Sequence, residues 1–251
     1  MRQRQKRAAA RHGEGAREIV NELSKLGARS GHNTGRIWDD WIASMACAIS
    51  NSVDRRPAVW EAREAEYMTI VDRHGAEVMG TFAQMLAGLI AEIEQADGEF
   101  TDLLGSIYMS LELGNDARGQ FFTPPGVCQI IAGITTTRDD LRERVAQSGF
   151  ITVGEPAIGG GATVIPVVTE VLRAGLNPAE HLHITGIDID RGVLRMAYVQ
   201  LSLMGVPAVL YVGDTLRMEM REDYYTPIHI VNGWGSRLRA REGLSDCENI
   251  A

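Results

Sequence analysis

Two hydrophobic rhythms divide this chain. Ile37, Trp38, Trp41, Ile42, Met45 and Ala46 recur at helical spacing, behind a break at 30–35 where Thr34 can cap. Pro57 suits the first turn of another helix. Val78, Met79, Phe82, Met85, Leu86, Leu89, Ile90 and Ile93 then form a long stripe of period 3.6, closed by Asp97-Gly98. A further helix is predicted over 102–113, and a shorter one over 14–26 within the polar N-terminal stretch. Residues 36–118 therefore read as an all-helical unit. A turn at 119–125 leads into a helix over 126–134, and from Phe150 the rhythm changes. Short apolar runs predict strands at 150–154, 182–188, 207–212 and 228–231. Between them lie helical stretches at 162–174 and 191–204, and a loop with a short helix over 214–222. Such alternation predicts an α/β fold: a Rossmann-like parallel sheet, incomplete at four strands, preceded by a helical domain. The last strand leaves an open edge, which needs the helical unit, a second copy or another chain as cover.

Composition narrows this picture. The chain has 251 residues, of which 45% are apolar, enough for two modest domains or one large one. No apolar run approaches the ~18 residues of a bilayer span, and the basic start (Met1 to Arg7) is not followed by the apolar core of a signal peptide. Cys47, Cys128 and Cys247 are far apart without metal-ligand spacing, which fits structural thiols in a reducing cytoplasm. Charge is unevenly placed. Residues 1–36 hold nine Lys/Arg and three Glu (net +6), and the remainder holds 16 Lys/Arg and 30 Asp/Glu (net −14). The organisation expected is a basic arm over 1–35, a helical domain over 36–118, a ligand-binding α/β domain over 119–236 and a polar tail over 237–251. The arm can meet phosphates; the acidic body is a poor general nucleic-acid surface.

Candidate chemistry gathers at the strand ends. Gly154-Glu155-Pro156-Ala157-Ile158-Gly159-Gly160-Gly161 joins a strand to a helix, and glycines there let a ligand approach the backbone. Parallel sheets bind ligands at their carboxyl edge. Three carboxylates are predicted there: Glu155, Asp188 and Asp214. Asp188, some thirty residues past the turn, is placed to accept from a ribose diol. Asp214 suits an exocyclic amine, and Glu155 suits an amino group and repels phosphate. S-adenosylmethionine carries all three features. A dinucleotide fits less well, because the turn lacks a Gly-x-Gly-x-x-Gly pattern. Asp190, beside Arg191, reads as a helix cap.

These residues carry a resemblance. Gly119-Gln120-Phe121-Phe122-Thr123-Pro124 resembles the Gly-Gln-Phe-Tyr/Phe-Thr-Pro signature of N6-adenine DNA methyltransferases, especially the modification subunits of type I restriction systems. The run from Glu155 to Gly161 is similar to their Asp-Pro-Ala-Cys-Gly-Ser-Gly motif. Gly186 to Asp190 and Gly213 to Leu216 resemble the next two motifs, in order, and Asp102 to Tyr108 looks like the helix entering the first signature. The resemblance spans about residues 100–234. It implies an S-adenosylmethionine-binding domain in which Phe122, Thr123 and Pro124 lie near the methionine end of the cofactor. Glu155, Ala157, Gly159 and Gly161 would form the cofactor turn, with Asp188 on the ribose and Asp214 on the adenine amine.

The catalytic motif departs from the family. Asn/Asp-Pro-Pro-Tyr/Phe is expected after the fourth strand, and Asn232-Gly233-Trp234-Gly235 stands there instead. The resemblance makes Asn232 the acceptor for the target amine and Trp234 the ring that stacks on a flipped base; packing of Trp234 against the sheet is the alternative. Two functions lead as expectations, ahead of a third that the altered loop permits, methyl transfer to RNA, protein or a small molecule. One is an S-adenosylmethionine-dependent DNA N6-adenine methyltransferase that meets DNA directly or through a partner subunit. The other is a catalytically impaired cofactor-binding accessory or interaction module of a phage or mobile element. Homo- or hetero-oligomers suit either reading, and neither calls for a membrane.

Overall fold

The structure, a computed structural model, describes residues 13–29, 31–111, 113 and 137–248. Its elements in order are α1 (Glu14–Arg29), α2 (Thr34–Val53), α3 (Pro57–Gln95), α4 (Leu103–Ser110), α5 (Arg138–Ser148), β1 (Ile151–Glu155), α6 (Ile165–Arg173), α7 (Pro178–His181), β2 (Leu182–Asp188), α8 (Arg191–Leu203), β3 (Ala208–Asp214), β4 (Glu219–Tyr225), α9 (Pro227–Val231) and α10 (Trp234–Glu248). The chain is an α/β protein with a helical N-terminal region and a four-stranded sheet.

The helical region forms where the apolar rhythm predicts it. Asn33, rather than Thr34, caps α2: its side chain accepts from the Arg36 amide at 2.8 Å. Pro57 opens α3, as expected. Among the described residues α3 is the one helix long and apolar enough, by length and composition, to cross a membrane. It breaks at Gly75 (φ 72°, ψ 173°), and its Phe82, Met85, Leu89 and Ile93 are buried inside the protein. Inside the expected basic arm, α1 buries Ala16, Ile19, Leu23 and Leu26 against α3. At the other end, α10 covers much of the expected polar tail. The described parts of both expected domains share one hydrophobic core, joined through α8, which packs on α2, β2 and β3.

The sheet order is β1-β2-β3-β4. The first three strands are parallel, in the predicted positions, with Ile151 opposite Leu182 and Ile184 opposite Ala208. The fourth strand corrects the prediction. It is Glu219–Tyr225, antiparallel to β3, and it lies across the stretch read as a loop and short helix. The apolar run Ile228-His229-Ile230-Val231, read as a strand, lies in the short helix α9. Two local causes account for this. At the hairpin turn Asp214 Oδ1 accepts from the amides of Leu216 and Arg217 at 3.0 and 3.2 Å, which reverses the chain. Pro227 then sits in the first turn of α9, where its fixed φ favours helix and its missing N–H is harmless.

Candidate functional site

The carboxyl edge of the three parallel strands is built around the glycine turn. After β1 the chain turns with Gly159 and Gly161 at φ 54° and 99°, a region that favours glycine. The turn is tied down from several sides. The Ile158 amide donates to Ile187 O at 2.9 Å, the Gly161 amide to Ile158 O at 2.9 Å, and the Gly159 amide to Asp188 Oδ2 at 2.8 Å. Thr215 Oγ1, on the β3–β4 hairpin, donates to Pro156 O at 2.6 Å. Gly186 makes room for the turn: a Cβ there would lie 2.5 Å from Ile158 Cδ1 and 2.8 Å from Leu210 Cδ2.

Glu155, Asp188 and Asp214 end β1, β2 and β3, so the sheet brings the three carboxylates to one edge. Each also has a local duty. Glu155 Oε1 accepts from the Ala157 amide at 3.1 Å. Asp188 is half-buried; its Oδ1 accepts from the Asp190 amide at 2.9 Å while its Oδ2 holds Gly159. Burial pushes the Asp188 carboxyl above its ordinary range, against the hydrogen bonds that favour its charge. Each carboxylate oxygen has two lone pairs, so these contacts leave acceptor capacity on Asp188. Asp214 uses Oδ1 for the hairpin turn, and its Oδ2 stands 3.7 Å from Arg217 Nε. Asp190 caps α8, accepting from Gly192 and Val193 at 2.8 and 3.1 Å, as expected. A Cβ on Gly154 would meet nothing within 4 Å, so there is open space at the end of β1.

The expected catalytic pair is elsewhere. Tyr225, which pairs with Val209 near the start of β3, ends the antiparallel β4, so the chain leaves the sheet at its amino edge. Trp234 is fully buried there, edge-on to Phe150 at 5.0 Å and beside His183, with Nε1 donating to Ala179 O at 3.1 Å. Asn232 is exposed and donates to the same carbonyl at 3.3 Å. Packing of Trp234 against the sheet, the alternative of the sequence reading, is what the structure has. A ring so enclosed offers no face to a base, and Asn232 is on the wrong edge to meet the glycine turn. Phe122, Thr123 and Pro124 lie outside the described residues.

Three residues at the site were not singled out by sequence. Ile189, next to Asp188, is 63% exposed and offers an apolar face at the carboxyl edge. Thr215 clasps the turn from the hairpin. Gln200 on α8 donates to Gly160 O at 2.9 Å. Its signal was legible: a lone amide inside the apolar run Ala197-Tyr198-Val199-Gln200-Leu201.

No family model matches this chain, and no curated protein matches it. One similar solved structure is a candidate class I S-adenosylmethionine-dependent methyltransferase from Listeria monocytogenes. It shares 16% identity at a TM-score of 0.43, over 82% of this chain and 55% of that one. The chain thus spans about half the length of that protein. A likeness at this level decides neither fold nor chemistry, which rest on the geometry: a parallel three-stranded edge with a glycine turn and three carboxylates.

Proposed function

We propose that this chain binds S-adenosylmethionine at the carboxyl edge of its sheet and is a methyltransferase-like module. The observation that carries the reading is the convergence of Glu155, Asp188 and Asp214 around a turn whose Gly159 amide is held by Asp188. The residues fit the group. Asp188 has acceptor capacity for a ribose diol, Asp214 Oδ2 for an adenine amine, and Glu155 for an amino group, while Ile189 offers an apolar face to a flat ring. Gly154 leaves open space at the end of β1, and a Cβ on Gly159 would meet only Val193 Cγ1 at 3.9 Å, whereas one on Gly161 would lie 3.5 Å from Ala197 and Ile165, so that Gly161 serves the turn's shape. When bound, the cofactor supplies an electrophilic methyl group on a sulfonium.

The substrate reading, an adenine N6 in DNA, rests on the motif resemblance and on the basic N-terminal stretch. The second reading, binding without transfer, is favoured by a specific observation: Trp234 is buried at the opposite edge and Asn232 stands beside it. Calorimetry with S-adenosylmethionine on wild type and Asp188→Ala separates these possibilities from a non-binder. Binding by wild type, weakened at least about ten-fold in Asp188→Ala, is expected; no binding by wild type sinks the reading. Transfer of labelled methyl to mixed-sequence DNA then decides between enzyme and binding module. Asn232→Ala is expected to leave any transfer unchanged, and loss of transfer in a well-folded Asn232→Ala protein would restore that residue to the site.

A further inference from the structure

Gln200 is fully buried, and every hydrogen-bonding atom of its amide is engaged. Nε2 donates to Gly160 O at 2.9 Å and to Asp102 Oδ1 at 2.9 Å, and Oε1 accepts from the Leu104 amide at 3.0 Å. These partners come from separate parts of the chain. Gly160 is the centre of the glycine turn; Asp102 and Leu104 form the start of α4, where Asp102 also caps by accepting from Gly105 at 2.8 Å. The Gly160 peptide lies between two glycines with positive φ, in a stretch without a strand or helix ladder of its own. Its buried carbonyl needs a donor, because a buried acceptor left without one is costly. Gln200 is the only side-chain donor seen on that carbonyl among the described residues. An apolar side chain at 200 cannot replace it.

We propose that Gln200 is the positioning residue of the glycine turn: it pins Gly160 and thereby sets the backbone shape that Glu155, Gly159 and Asp188 present to a ligand. The consequence for ligand affinity rests on the S-adenosylmethionine reading; the consequence for the turn itself does not. Gln200→Met keeps the length of the side chain and removes the donor to Gly160, together with the acceptor for the Leu104 amide, without adding an acid that burial would keep protonated as a donor. Asp102→Ser keeps a capping oxygen on α4 and leaves the Gln200–Gly160 bond in place.

Hydrogen exchange over residues 156–164 is measured in both, beside S-adenosylmethionine titrations. The expected result is about ten-fold faster exchange of the turn amides and about ten-fold weaker cofactor binding in Gln200→Met, with turn exchange in Asp102→Ser near wild type. Equal responses in the two variants, or an unchanged turn in Gln200→Met, would overturn the proposal, since a merely structural residue does not discriminate between them. Should Gln200→Met fail to fold, wild type alone decides. The Gln200 side-chain amide protons must then exchange as slowly as the Ile158 and Gly161 amides, and exchange at the rate of an exposed glutamine refutes the pin. If turn exchange responds while wild type binds no S-adenosylmethionine, Gln200 keeps its role and the proposed function falls.

Discussion

At the scale of single residues, the site depends on atoms that are missing as much as on those present. Gly186 has no side chain where β2 passes under the glycine turn, and Ile158 occupies that space. Gly186→Ala places a methyl within 2.5 Å of Ile158 Cδ1, with Leu210 closing the other side. A destabilisation of about 1–3 kcal/mol is expected in a urea melt, since a packed core resists even one added carbon. The sequence signalled the glycines of the turn because they cluster. Gly186 was legible only as part of a motif, because its reason is a neighbour 28 positions away. Trp234 teaches the converse. Its type and its nearness to Asn232 suggested a stacking ring, and its fate was settled by Phe150, His183 and the Ala179 carbonyl around it. A tryptophan is recognisable in a sequence; whether its face is open to a ligand depends on what packs there.

At the scale of elements, the parallel strands were legible and the antiparallel one was not. β2 and β3 are short runs with burial on both faces, β1 is a shorter one with Thr152 and Gly154 exposed, and the positions of all three match the reading within a residue or two. β4 is Glu-Met-Arg-Glu-Asp-Tyr-Tyr, exposed along most of its length, so no apolar rhythm announces it. It is held by charge and aromatic contacts. Arg56 grips Asp223 with two bonds of 2.8 Å, and the buried Arg63 donates to the Asp223 carbonyl and lies over the Tyr224 ring at 4.4 Å. Arg195 completes the cluster, bonded to Glu66 and to the Tyr224 hydroxyl at 2.8 Å. Charged side chains also suit an edge strand that must not recruit another. Asp223→Ala should therefore loosen β4 selectively: amide protection over 219–225 falls, that over β1–β3 stays, and global stability drops by only about 1 kcal/mol, because Arg56 is partly solvated. Uniform loss of protection across the sheet would show that β4 is not a separable element.

At the scale of the whole molecule, the amino edge carries a pH-dependent weakness. His183 Nε2 lies 2.9 Å from His229 Nδ1, with both rings buried beside Trp234 and Tyr225. Burial, with the neighbouring histidine and Arg237 adding to it for His183, holds both imidazoles down to about 4 from an ordinary 6.5. The unfolded chain therefore binds more protons than the native one between those values, so stability is full above pH 6.5 and is lost as pH falls toward 4. The midpoint of thermal unfolding is expected to decline over that window. His229→Gln, which keeps a hydrogen-bonding side chain that does not titrate, should flatten the decline; an equally steep profile in that variant would assign it to other groups. The sequence by itself determined the helical and α/β halves, the three parallel strands, the glycine turn and the set of carboxylates near it, because periodicity and local turn chemistry are properties of neighbouring residues. Only the tertiary structure decided that β4 runs backwards, that both halves share one core, that Asn232 and Trp234 lie away from the turn, and that Gln200 holds Gly160. Each of those depends on contacts between residues dozens of positions apart, and the edge of the sheet at which a side chain arrives follows from strand direction, which the local pattern does not encode.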